Sequence, residues 1–149
     1  MIYPSVGPTR TEADFAAHIS ATVETDPSGQ WVFICDQLNT HKSESLVKLV
    51  TQLCGLEDQL GKKGKSGILQ NMATRAAFLQ NPSHRIRFVY TPKHCSWLNQ
   101  VEIWFGILTR RLLKRGNFTS VAELKSRILA FIDFFNDTKA HAVSLDLYR

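Results

Sequence analysis

The five residues Trp31-Val32-Phe33-Ile34-Cys35 constrain this chain more than any other stretch. They form an unbroken run of bulky apolar side chains of strand length, without the alternation that marks a strand with one wet face. The run reads as a strand buried on both faces of a parallel sheet, which requires crossover helices to cover it. It stops abruptly at Asp36. In open α/β sheets, ligands and catalytic groups gather outside the carboxyl ends of the strands, so this carboxylate is the first candidate for chemistry. A second run, Arg85-Ile86-Arg87-Phe88-Val89-Tyr90, is closed by Thr91-Pro92-Lys93-His94-Cys95. The expected fold class is α/β, a single domain over residues 1–149, and 44% hydrophobic residues suffice for a core.

Helices are expected between and after these strands. Thr11 with Asp14 makes a capping box, and Phe15, Ile19 and Val23 recur at helical spacing until Asp26-Pro27-Ser28-Gly29 breaks the run. Ile2 to Val6 reads as a further strand, placed at an edge by Pro4. Ser43 opens a helix through Leu46, Val47, Leu49 and Val50, and Met72 to Leu79 is a short helical stretch. Ser120 and Glu123 form another capping box ahead of an apolar stripe at Val121, Leu124, Ile128, Phe131, Ile132 and Phe135. The stretch from Asn136 onward has no clear pattern.

The segment Ser96 to Phe105 opens an amphipathic helix that carries a single carboxylate, Glu102. Trp97, Val101, Trp104, Phe105, Leu108 and Leu112 fall on one stripe, with Glu102 on its shoulder. Asn99 sits one turn earlier, at the spacing that lets side chains meet. This helix is expected to run to Arg115-Gly116. Arg110, Arg111, Lys114 and Arg115 crowd its end, where they complement the helix dipole or meet phosphates.

Composition narrows the function. Eighteen Lys and Arg against thirteen Asp and Glu give a net charge of +5, which favours a polyanionic partner. Three widely spaced cysteines without a Cys-x-x-Cys pair fit a reducing cytosol and no zinc site. No signal peptide and no apolar run of membrane-spanning length is present, so a cytoplasmic location and no membrane partner are expected. From residue 55 to residue 83 the composition changes, with a glycine- and lysine-rich stretch at Gly61 to Gly67. Gly64-Lys65-Ser66 is not a phosphate loop of the NTPase type, because Gln59 stands where the first glycine is required. Lys62, Lys63 and Lys65, on backbone expected to be flexible, either contact a DNA backbone or form a solvated loop. In the loop after Asp36, Asn39 and His41 are read as positioning groups.

Two carboxylates, Asp36 at one strand end and Glu102 after the next, supply hard oxygen ligands of the kind that suit Mg²⁺ or Mn²⁺. A pair of such ions activates a water or a 3′-hydroxyl and stabilises the leaving oxygen in phosphodiester cleavage or transfer. Two acids alone leave a metal pair under-ligated, and the chain offers no evident third.

The blocks Trp31 to His41 and Tyr90 to Phe105, followed by Arg115-Gly116-Asn117-Phe118-Thr119-Ser120, resemble bacterial insertion-sequence transposases of the DDE superfamily related to mariner elements. The resemblance implies a ribonuclease-H-like fold, divalent-metal-dependent DNA cleavage and strand transfer, and as partners the element's inverted terminal repeats and target DNA. By this likeness Asp36 is the second and Glu102 the third acid of the triad, with Trp97 and Asn99 shaping the site. The separation of these two acids exceeds the family's usual distance, and residues 55–83 are read as an insertion. The family's first acid lies on a strand preceding those recognised here, and neither Asp14 nor Asp26 replaces it. The expectation is an N-terminally truncated catalytic domain with an incomplete sheet, incomplete in activity by itself, whose open strand edges favour homo-oligomerisation or association with an N-terminal fragment. The alternative is an inactive remnant that binds DNA or intact transposase as an inhibitor.

Overall fold

The computed structural model describes residues 4–56, 59–92 and 100–138. Their elements are α1 (Glu12–Val23), β1 (Trp31–Cys35), α2 (Glu44–Leu53), α3 (Met72–Leu79), β2 (Ile86–Tyr90), α4 (Gln100–Arg111) and α5 (Val121–Thr138). The chain divides into two compact units, one spanning Gly7–Glu102 and the other comprising Met1–Val6 with Ile103–Arg149.

In the first unit β1 and β2 pair in parallel, Trp31 opposite Ile86 and Cys35 opposite Tyr90. One face of this two-stranded sheet carries Trp31, Phe33 and Cys35 beside Ile86, Phe88 and Tyr90, with the Phe33 and Phe88 rings stacked at 5.3 Å. Ile19 and Val23 of α1, Leu46, Val47 and Val50 of α2, and Phe78 and Leu79 of α3 join the same core. The helices begin where the sequence places them. Thr11 caps α1 in a reciprocal box with Asp14, and the Ser43 hydroxyl accepts the Leu46 N–H at the start of α2. Asn71 and Thr74 form a further box that starts α3.

Several expectations change. Among the described residues β1 is covered on one side only: Val32 and Ile34 are 49% and 63% exposed, and Val89 of β2 is 41% exposed. An uninterrupted apolar run records strand propensity on both faces but not which neighbours cover them. Pro4 to Val6 form no strand, while Ile2 and Tyr3 lie outside the described residues. The glycine-lysine stretch is a built hairpin rather than flexible backbone, with an isolated antiparallel bridge between Lys62 and Ser66. Gly61, at φ +78°, leaves no room for a side chain, because a Cβ there would stand 2.1 Å from the Ser66 carbonyl oxygen.

In the second unit, Trp104 of α4 meets Phe135 of α5 edge to face at 6.4 Å, and Leu108 and Ile132 are buried. The stripe expected to anchor Glu102 is partly open, since Val101 and Phe105 are exposed. α4 stops at Arg111 and a 3₁₀ turn, Leu113–Arg115, follows it. No described helix is long and apolar enough to cross a membrane.

Leu46 is fully buried in the core of the first unit. Leu46→Ala is expected to cost about 2–5 kcal/mol of unfolding free energy, measured by urea titration. Cys35 is buried at the end of β1, and burial together with the adjacent Asp36 charge pushes its thiol up to about 12. Thiolate is the reactive form, so alkylation by iodoacetamide at pH 8, followed by peptide mass spectrometry, is expected to modify half-exposed Cys54 well before Cys35.

Candidate active site

Asp36 follows the last residue of β1, in a loop that returns to α2 through a 3₁₀ turn, Asn39–Lys42. Its Oδ1 accepts the Leu38 N–H at 2.9 Å, the local turn bond that Asp favours. The same oxygen lies 2.8 Å from His41 Nδ1, close enough for an ion pair although the ring nitrogen is not aligned for a hydrogen bond. The His41 ring packs against Phe15 of α1 at 4.3 Å, so the imidazole is held between the helix and the carboxylate. Among the described residues Asp36 Oδ2 has no partner, and the side chain is 40% exposed.

The loop is fixed from several sides. Tyr90, the last residue of β2, donates its hydroxyl to the His41 carbonyl at 2.8 Å. Burial pushes that hydroxyl above its ordinary range, so it remains a donor at neutral pH. Lys42 Nζ lies over the Tyr90 ring and also donates to the Gln37 amide oxygen, while the Gln37 amide nitrogen donates to the Thr91 carbonyl. Arg75 of α3 donates from Nε to the Lys42 carbonyl at 2.7 Å. The carboxyl ends of both strands, the loop and α3 therefore form one hydrogen-bonded assembly around Asp36.

Beside this loop is a cleft of about 420 Å³, lined by Glu12, Asn39, Thr40, Ser43, Lys63 and Arg75, all within the first unit. Asn39 thus borders the cleft. Lys63 reaches it from the hairpin and is shared between Glu12 at 3.4 Å and Glu44 at 3.7 Å. Bonding to Lys48 and Lys63 holds the Glu44 carboxyl below its ordinary range. Lys62 and Lys65 are exposed on the same hairpin. Arg75 did not stand out in the sequence; its one signal is a guanidinium embedded among Ala73, Ala76, Ala77, Phe78 and Leu79.

Glu102 lies in the first turn of α4 and is exposed. Trp97 and Asn99 lie outside the described residues. Arg110 and Arg111 on α4, with Lys114 and Arg115 in the turn after it, are exposed and belong to the second unit. The free oxygen of Asp36 suits one ligand position of a hard divalent cation. Among the described residues no three His, Cys, Asp or Glu side chains gather into a metal-binding group.

Neither curated proteins nor solved structures yield a match to the chain. A family model described as DDE superfamily endonuclease matches residues 2–125. That family has the ribonuclease-H-like fold, acts on DNA in transposition and uses divalent metal ions, in keeping with a parallel strand pair flanked by helices and an acid at a strand end. Over most of its length, then, this chain belongs to the DDE superfamily endonucleases.

Proposed function

We propose that the chain is the catalytic region of a mariner-related bacterial insertion-sequence transposase, cleaving and joining DNA strands at the inverted terminal repeats of its element. The observation that carries this reading is Asp36, an acid fixed at the carboxyl end of a parallel strand with one oxygen unpartnered among the described residues, in a chain of this family. Asp36 and Glu102 are two of the ligands for Mg²⁺ or Mn²⁺. When bound, such an ion polarises a phosphodiester and lowers the pKa of a water or 3′-hydroxyl.

The protein's own part is to hold the acid still. The Leu38 N–H and His41 fix the Asp36 carboxylate, and Phe15 backs the imidazole. The Tyr90 hydroxyl ties the carbonyl of His41 to the second strand, so the strand ends move together. Trp97 and Asn99 shape the site beside Glu102. Assembly into a homo-oligomer, or with a further segment carrying an acid, completes the ligand set.

Calorimetric titration of Mn²⁺ into the chain and into Asp36→Ala and Glu102→Ala tests the assignment. Binding by the parent chain that disappears in both variants is the expected result. Binding that survives either substitution removes that residue from the site, and no binding by the parent chain leaves the inhibitory-remnant reading in its place.

A further inference from the structure

Arg75 is 9% exposed, yet no carboxylate among the described residues pairs with it. Two of its five N–H donors are engaged, Nε by the Lys42 carbonyl and Nη1 by the Leu69 carbonyl at 3.1 Å. The others have no protein partner among the described residues, and the side chain lines the cleft next to the Asp36 loop. A buried guanidinium without a counter-ion is costly unless an anion visits it. Two carbonyl bonds keep its fork in place, which is the preorganised geometry that recognises phosphate oxygens.

Lys63 faces the same cleft and is 51% exposed. Its ammonium is held by two carboxylates at 3.4 and 3.7 Å, distances that leave both pairs loose. Glu44 has a closer partner of its own, Lys48 at 2.6 Å. An entering phosphate therefore competes chiefly with Glu12 for Lys63. Thr40, which also lines the cleft, offers a hydroxyl donor.

We propose that this cleft is a subsite for a backbone phosphate of the DNA strand flanking the one presented to Asp36, with Arg75 as its fixed donor and Lys63 as a donor released from Glu12. The inference rests on the DNA-cleaving reading of Asp36 and adds to it a positioning contact from the segment read as an insertion. Phosphate contacts fix register without reading sequence, so any duplex reports on the site.

The experiment is fluorescence anisotropy with a labelled duplex of arbitrary sequence, across a series of salt concentrations. Lys63→Gln is expected to lower affinity about five- to tenfold at 0.1 M salt and to reduce the salt slope by about 0.9. Glu12→Gln, which frees Lys63, is expected to tighten binding, a change that a folding defect does not imitate. Arg75→Gln is expected to weaken binding at least as much as Lys63→Gln; its thermal melt establishes that it is folded, and the Lys63 and Glu12 variants decide the question if it is not. Unchanged affinity and slope in Lys63→Gln and Glu12→Gln, with a parent chain that binds DNA, overturns the subsite alone. A parent chain that binds no duplex overturns the subsite together with the reading it rests on.

Discussion

The parallel register of β1 on β2 is the constraint on which the candidate site depends. It sets Cys35 opposite Tyr90, and so brings Asp36, the next residue on one strand, to the level where the other strand ends. Tyr90 then reaches the His41 carbonyl, and the loop between Asp36 and α2 has a fixed path. A slip by one residue would exchange the two faces of a strand, sending the core-facing aromatics outward and Tyr90 away from the loop. The aromatic ladder of Trp31, Phe33 and Phe88 on the buried face makes such a slip costly.

Much of this architecture was legible in the residues. Both strands, the box at Thr11 and Asp14, the cap at Ser43 and the helix at Met72 follow from short-range chemistry, which a sequence carries on its face. Asp36 stood out as a candidate because a charge that ends an apolar run has few structural explanations. The pair with His41 was legible only as proximity in the loop; the geometry adds Phe15, brought in from a separate helix, as the wall behind the imidazole.

What escaped the sequence depends on contacts between distant segments. Arg75 looks like an ordinary helical arginine until Lys42 and Leu69 are known to receive its bonds. Gly61, Gly64 and Gly67 read as looseness, whereas their positive φ angles let the hairpin close tightly and aim Lys63 at α1 and α2. The exposure of Val32, Ile34 and Val89 was equally hidden, because an apolar strand has the same composition whether or not its second face is covered.

The pairing of Trp31 with Ile86 also has a kinetic side. Between the two strands lie α2, the hairpin and α3, whose apolar residues pack on the buried face of the same sheet. Closing so long a connection loses chain entropy before a single inter-strand bond repays it, and topologies of this kind fold slowly. The loop bearing Asp36 acquires its anchors from Tyr90 and Arg75 only after that closure. During synthesis the acid is therefore made before the residues that anchor its loop, so the nascent chain carries the candidate metal ligand well before it carries the site.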